Sequence, residues 1–411
     1  SSLLPGLAIF LLREQQIVLR SLLYVARAIA KLAFVAALLA GVAAGQQYET
    51  RYEVLPGLEL AFKADALGLL FVTLSALLWL LTTVYAIGYL EGTPNRSRFF
   101  GFFSLCVTAT VGIAIAANLF TFFIFYELLT LSTYPLVVHR GTDKALKGGA
   151  TYLRYTLAGG ALMLAATIWL NELLGHTEFA PGGVLAELAI TSPGALSMIF
   201  VLLMAGTGVK AALFPLHGWL PKAMVAPAPV SSLLHAVAVV KAGAFGVARI
   251  VYETFGIETV QALGLLQTLA MIAAFTILWG SLRAIWQDDL KKRLAFSTVS
   301  QVSYIVLGVA LFGPIGTVGG LVHLVHQGIM KITLFFCAGN YAETLGTYRV
   351  SQMNGIGRRM PLTTIAFTIG AFGMIGLPLT AGAISKEWLS AGAKAAGMEW
   401  AAWVLTASGI L

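Results

Sequence analysis

Residues 200–250 read FVLLMAGTGVKAALFPLHGWLPKAMVAPAPVSSLLHAVAVVKAGAFGVARI. Two apolar runs meet at a proline-rich junction, and each encloses one lysine, Lys210 in the first and Lys241 in the second. A membrane span needs about 20 mostly apolar residues, and both runs satisfy that length. Proline within a helix removes a rung of its hydrogen-bond ladder. The first run, broken after Lys210 at Pro215 and again at Pro221, therefore reads as an interrupted span.

The rest of the chain agrees. Of 411 residues, 58% are hydrophobic and only 11% charged, with a mean hydropathy of +0.86. A soluble domain carries roughly 25% charged residues, so most of the water-facing surface is gone. Backbone groups in hydrocarbon must be satisfied within their own segment, and no alternating ten-residue strand pattern is present, so the fold class is an all-α polytopic membrane protein. Spans are predicted at 3–12, 18–45, 65–90, 100–117, 119–138, 151–172, 193–216, 228–252, 260–285, 294–312, 316–342, 361–383 and 398–411. The first and last read as cut, implying a longer natural protein. Two cysteines, Cys106 and Cys337, both in apolar runs, give neither a disulfide framework nor a metal-ligand spacing.

Base exceeds acid, 26 to 18, but the basic residues fall in alternate loops instead of a nucleic-acid-binding patch. Those loops hold Arg96 and Arg98; Arg140, Lys144 and Lys147; Lys222; Arg283, Lys291, Lys292 and Arg293; and Arg349, Arg358 and Arg359. The intervening loops hold Arg51 and Lys63, then none in three successive loops, then Lys394. By the positive-inside rule the basic loops are cytoplasmic. In the second span Arg20, Arg27 and Lys31 share one helical face at i, i+7 and i+11. That face reads either as snorkelling to the headgroups or as contact with a neighbouring subunit.

Ionisable residues in mid-membrane cost at least about 2.5 kcal/mol each on insertion scales, yet five spans carry them. Glu127 sits in FFIFYELLTLSTYPLVV, Lys210 and Lys241 in the runs above, His323, His326 and Lys331 in GLVHLVHQGIMKITLFF, and Lys386 after GMIGLPLTAGAIS. One buried lysine can be a structural ion pair and one histidine a satisfied interior group. Five such spans point to a charge relay, because apolar replacements exist for a purely structural role. A lysine taken out of water releases its proton more readily and a nearby carboxylate opposes this. A Glu–Lys pair of changing separation would load and release protons, and histidines pass them on near neutral pH. A histidine pair can also bind a metal, but no carboxylate or cysteine accompanies this one. Proline breaks beside Lys210 and, at Pro378, before Lys386 recur in corresponding places, the mark of transporters with internal repeats. No P-loop, dinucleotide fingerprint or haem motif occurs, so neither ATP hydrolysis nor electron transfer is expected, and no cofactor.

KAALFPLHGWLPKAMVAPAPVSSLLHAVAVVKAG (210–243), with FFIFYELLTLSTYPLV (122–137) and DLKKRLAFSTVSQVSYIVLG (289–308), resembles the proton-conducting membrane transporter family. That family comprises the antiporter-like subunits of respiratory complex I and the large subunits of Mrp-type cation/proton antiporters. The D-type Mrp subunit is the nearest likeness. The resemblance implies a fourteen-helix antiporter-like fold with two inverted five-helix repeats and broken seventh and twelfth helices. About thirteen of those spans are visible. It divides the chain into N-terminal helices (1–99), a first repeat (100–252) and a second repeat (260–411). It pairs Glu127 with Lys210, makes Lys241 the connecting lysine, His323, His326 and Lys331 the relay of the eleventh helix, and Lys386 the exit residue. His235 matches a family position and is a further relay candidate. Asp65 resembles a recurrent aspartate and fits a helix cap equally well. The implied function is proton translocation in a multisubunit Mrp-type Na+/proton antiporter of a bacterial or archaeal cell membrane. Its partners would be other membrane subunits, the lipid bilayer, protons and sodium. The alternatives are the same module in a complex I-like redox or carbon-uptake complex, a stand-alone transporter of an organic substrate, or a structural scaffold.

Overall fold

The structure is a computed structural model that describes residues 3–10, 16–55 and 58–411. Helices α1 (Leu3–Ile9) and α2 (Ile17–Ala43) lead into an antiparallel hairpin, β1 (Glu49–Leu55) and β2 (Leu58–Lys63), which pairs Glu49 with Lys63. Residues 11–12 of the predicted first span lie outside the described residues. Then come α3 (Ala66–Tyr89), α4 (Arg96–Ala114), α5 (Leu119–Val137) and α6 (Asp143–Leu174). A short α7 (Ala186–Thr191) precedes α8 (Pro193–Ala211), α9 (Trp219–Lys222), α10 (Ala228–Ser232), α11 (Val239–Arg249) and α12 (Ile257–Ala262). The chain continues through α13 (Leu265–Ile285), α14 (Leu290–Ala310), α15 (Pro314–Leu345), α16 (Ile356–Arg359), α17 (Pro361–Ile375), α18 (Ala381–Ala395) and α19 (Glu399–Ile410).

Among the described residues ten helices are long and apolar enough to cross a membrane, from Val18–Ala43 to Pro314–Leu345, and each coincides with a predicted span. The other predicted spans correspond to α1, to the interrupted pair α17 and α18, and to α19. Among the described residues the hairpin is the one addition to a helical architecture. It joins α2 to α3, and β1 is exposed along its whole length. It docks on the α4–α5 turn, where Lys63 N donates to Ile115 O (2.7 Å) and Ala117 N to Ala61 O (2.9 Å). Asn118 fixes that turn twice: its Oδ1 accepts from Thr121 N (2.7 Å) as the cap of α5, and its Nδ2 donates to Glu59 O (3.0 Å).

The axis of the molecule is the segment that carries Lys241. Every residue from 226 to 251 is buried, and α10–α11 pack against α3, α8, α14 and α15. A helix apolar on all sides belongs at the centre of a bundle. Glycine makes the approach close enough: a Cβ at Gly243 would meet the Lys210 carbonyl carbon at 2.6 Å. Turns of wider, π-type helix at Leu233–Val237 and Ile250–Phe255 interrupt this segment.

Both predicted breaks are present. After α8 the chain turns through Ala212 at φ +56°, and the Val209 carbonyl of the last turn accepts from both Ala212 N (3.1 Å) and Trp219 Nε1 (2.7 Å). After α17, Gly376 (φ +87°) and Leu379 (φ +68°) interrupt the helix before α18, which continues along α15 in the same direction: Gly373 lies against Met330, and Gly392 against Gly316. Glycine takes such a conformation without strain; leucine does not.

The far end of the axis is held by charge. Arg249, fully buried, pairs with Asp65 (Nη1–Oδ2 2.7 Å; Nη2–Oδ1 2.9 Å) and with Glu253, and donates to Ala114 O (3.0 Å). Asp65 also caps α3, accepting from Gly68 N (2.7 Å). One guanidinium thus ties the start of α3, the end of α4 and the end of α11. Removing one partner of a buried pair strands the other. Arg249→Leu should cost about 3 kcal/mol and lower the midpoint of thermal unfolding in detergent, whereas Arg51→Leu on the exposed hairpin should leave it nearly unchanged.

Outside the spans, the Asp288 carboxylate accepts from Ser351 N and Ser351 Oγ (2.9 Å each), which holds its pKa below the usual aspartate range. A depressed folded pKa gives stability that is present above the unfolded value, about 4, and lost as pH falls through the folded one. Amide exchange at 348–352 should therefore accelerate below about pH 4, and Asp288→Ala should remove that acceleration.

Candidate functional site

The ionisable residues picked out from the sequence lie along the interior, and each lysine ends on neutral oxygen. Lys210, fully buried in the last turn of α8, donates to Tyr126 O and places its Nζ 3.2 Å from the Tyr126 ring centre. The Glu127 carboxylate is the next side chain along α5, partly buried, and its Oε1 has no hydrogen-bond partner among the described residues. Glu127 and Lys210 feel each other electrostatically, but the ammonium is seated on the carbonyl and ring of Tyr126. α6 reaches Glu127 through a glycine notch: a Cβ at Gly160 would come 2.5 Å from Oε1.

Lys241, fully buried on α11, donates to Leu324 O of α15 (2.6 Å). One residue earlier on α15 is His323, whose Nδ1 contacts Ser385 Oγ of α18 (2.8 Å) and whose ring stacks on Tyr304 (centroids 5.2 Å). The Lys386 Nζ lies 5.4 Å from that same Tyr304 ring, on α18. It donates to Met374 O and Ile375 O (2.9 Å each), the orphan carbonyls at the end of α17. A cation at a helix C-terminus meets the negative end of the helix dipole, so the second break makes the Lys386 site. Lys331, fully buried, donates to Ser297 Oγ (2.8 Å) and Leu294 O (3.2 Å) on α14.

The two histidines of α15 part company. His323 is fully buried; His326 is half-buried beside the Ala381 backbone. Among the described residues no group of three or more His, Cys, Asp or Glu is placed to hold a metal. His235 sits in the π-type turn of the axis, fully buried and stacked on Phe335 (4.5 Å), with neither ring nitrogen hydrogen-bonded among the described residues.

Several polar groups of this interior do not stand out in the sequence. Tyr126 and Tyr304 provide the ring faces. Gln327, one turn from both His323 and Lys331, is fully buried with both amide atoms unpartnered among the described residues, and Gln301 Oε1 is likewise unpartnered. Tyrosine and glutamine in apolar runs are too common to attract notice; the i+4 spacing of His323, Gln327 and Lys331 was the available signal. Arg249, inside the run FGVARIVYE, is inconspicuous for the same reason.

Residues 116–411 match the family model described as NADH:quinone oxidoreductase/Mrp antiporter, transmembrane, and residues 57–100 match the N-terminus of chain 5 of NADH-ubiquinone oxidoreductase (complex I). The chain is 38% identical over 355 residues to NADH-quinone oxidoreductase subunit N of Desulforudis audaxviator, covering 85% of this chain and 69% of that protein. It is 32% identical to a Na(+)/H(+) antiporter subunit of Alkalihalophilus pseudofirmus, covering 80% of this chain and 42% of that one. A chain of the Mrp complex from Dietzia sp. superposes with a TM-score of 0.87 at 26% identity, over 99% of this chain and 76% of that chain. A chain of the archaeal membrane-bound sulfane sulfur reductase superposes at 0.89 and 24% identity, over 100% and 83%, a likeness of fold.

The closeness of α8 to α11 is directly testable. Gly243→Ala would press a methyl on the Lys210 carbonyl carbon (2.6 Å) and Ala211 Cα (2.8 Å), an overpacking that costs about 1–3 kcal/mol. It should lower thermal stability and slow proton flux, while Gly88→Ala, which meets nothing within 4 Å, should do neither.

Proposed function

The chain belongs to the NADH:quinone oxidoreductase/Mrp antiporter transmembrane family, and from that membership we propose that it is a proton-translocating membrane subunit of a multisubunit Mrp-type cation/proton antiporter. One observation carries the reading. Lys210, Lys241 and Lys331 are all fully buried, and each is satisfied by carbonyl or hydroxyl oxygen with no carboxylate of the described residues bonded to it. A salt-bridged lysine cannot lose its proton without stranding its partner. A lysine on neutral oxygen can, because the amine still donates a hydrogen bond.

The order proposed for the path is Glu127 and Lys210, then Lys241, then His323 and Lys331, ending at Lys386, with His235 and His326 beside it. The Tyr304 ring, shared by His323 and Lys386, supports the last step. The two breaks, each next to a lysine, support two repeats at 100–252 and 260–411 after N-terminal helices at 1–99. The asymmetry of the loops supports a cytoplasmic basic end in a bacterial or archaeal cell membrane, and sodium is the exchanged cation of this reading.

A second reading, the same module in a redox-driven complex, is favoured by the 38% identity to NADH-quinone oxidoreductase subunit N. An imposed sodium gradient should drive proton movement through the purified complex under the first reading. Under the second, protons should move only when co-purified redox subunits are supplied with electrons.

Lys210→Ala should abolish proton flux in proteoliposomes while the complex still assembles; wild-type flux in that variant would remove Lys210 from the path. Lys386→Glu should keep partial flux if either sign of charge serves at the α17 break, and complete loss would mean that a cation is required there.

A further inference from the structure

A second polar cluster lies away from this path, between α2 and α3. Arg27 and Lys31, 5% and 2% exposed, both sit over the Trp79 ring, at 5.0 and 5.1 Å from its centre. Neither reaches out to headgroups as snorkelling would require; both are folded inward. Among the described residues, all three guanidinium nitrogens of Arg27, the Lys31 ammonium and Trp79 Nε1 lack a hydrogen-bond partner. The hydroxyls of Ser75 and Thr83, one turn to either side of Trp79, are buried and unpartnered as well. Arginine, lysine and the indole N–H only donate; the Ser75 and Thr83 hydroxyls are the cluster's neutral acceptors, neither is bonded to these donors, and no anion is among them. Two like charges share one ring, and the ring face offsets only part of the cost of burying them.

Among the described residues the surroundings hold no counterion. Helices α1, α2, α3 and α4 contain no aspartate or glutamate. Beside Lys31, however, lies a cavity of about 240 Å³ with otherwise mostly apolar walls, including Phe34, Val72, Gly112 and Phe125. Phe34 is 62% exposed, so the cavity reaches the flank of the bundle. Lys31 stands fourteen residues from Ile17 and twelve from Ala43 in α2, about 21 and 18 Å at 1.5 Å per residue. That is the middle of the bilayer, whereas lipid phosphates lie outside a hydrocarbon core about 30 Å thick. A headgroup cannot reach it; an acidic side chain on a membrane helix can.

We propose that the cavity beside Lys31 receives a carboxylate carried at mid-bilayer depth by a transmembrane helix of a neighbouring subunit, and that this carboxylate pairs with Lys31 and Arg27. The cluster is then a docking site, separate from the proton path. The inference rests on the reading of the chain as part of a multisubunit complex and holds for either kind of complex.

The test is zero-length coupling in the whole complex in native membranes with dicyclohexylcarbodiimide. The reagent activates a buried carboxylate, the Lys31 amine displaces it to form an amide, and the carboxylate oxygen leaves as dicyclohexylurea. Mass spectrometry should find Lys31 joined to an Asp or Glu within a membrane segment of another subunit. The product should vanish in Lys31→Arg, which keeps the charge and the assembly. Lys31→Met should retain about tenfold less of that subunit through purification, as expected for a stranded buried charge, and a lysine at the identified acid should restore it in Lys31→Glu. Coupling of Lys31 only to its own chain, Glu14 included, would overturn the proposal. So would absence of coupling with full subunit retention in both Lys31→Met and Arg27→Gln, or an anionic lipid found bound to Lys31. If the partner belongs to a redox-linked complex, the docking site stands and the antiporter reading fails.

Discussion

A charge buried in hydrocarbon must be met by an oxygen, and the interior of this protein is arranged around how that demand is answered. At the far end of the axis it is answered by carboxylates: Arg249 holds Asp65 and Glu253 and draws the start of α3 and the end of α4 to α11. Along the axis it is answered by neutral groups, the carbonyls of Tyr126, Leu324, Met374 and Ile375 and the hydroxyl of Ser297. The first kind of answer fixes a structure. The second leaves the proton free to go, because nothing charged is stranded when it does.

A helix break supplies the neutral oxygen at Lys386, whereas Lys210, Lys241 and Lys331 bond oxygens within the unbroken helices α5, α15 and α14. A carbonyl inside a helix already accepts one N–H; an ended helix leaves its last few without one. Lys386 takes two of those from α17, and at the end of α8 Trp219 shares the Val209 carbonyl with Ala212 N. The glycines at 160 and 243 then let neighbouring helices close over the charged groups. Close packing and partial dryness are one design seen from two sides: bringing α8 against α11 both holds the break and excludes lipid from it.

The pair Arg27 and Lys31 shows the same demand unanswered among the described residues of the chain. Stacked on Trp79 and buried, they have ring faces but no anion. Within a monomer this is an expensive arrangement. Within an assembly it becomes a specificity device, since a helix carrying a carboxylate at the right depth is accepted and one lacking it is not.

The sequence by itself determined the membrane fold, the places of its spans, both helix breaks and most of the charged interior. The reason is that hydrocarbon is a severe solvent: an uninterrupted apolar run can be only a helix, and an ionisable residue inside one is rare enough to be noticed singly. Glu127, Lys210, Lys241, His323, Lys331 and Lys386 were legible on those grounds. What only the tertiary structure decided is who meets whom. Backbone carbonyls carry no sequence signature, so the seats of the lysines on Tyr126, Leu324 and α17 could not be read in advance. Nor could the parting of His323 from His326, since three residues along a helix turn one ring inward and leave the other half-exposed. Arg249 and the inward fold of Arg27 and Lys31 belong to the same class. A cation on a peripheral span reads as snorkelling until the packing of its neighbours shows whether it can reach water, and here Arg27 and Lys31 are buried against Trp79 of α3.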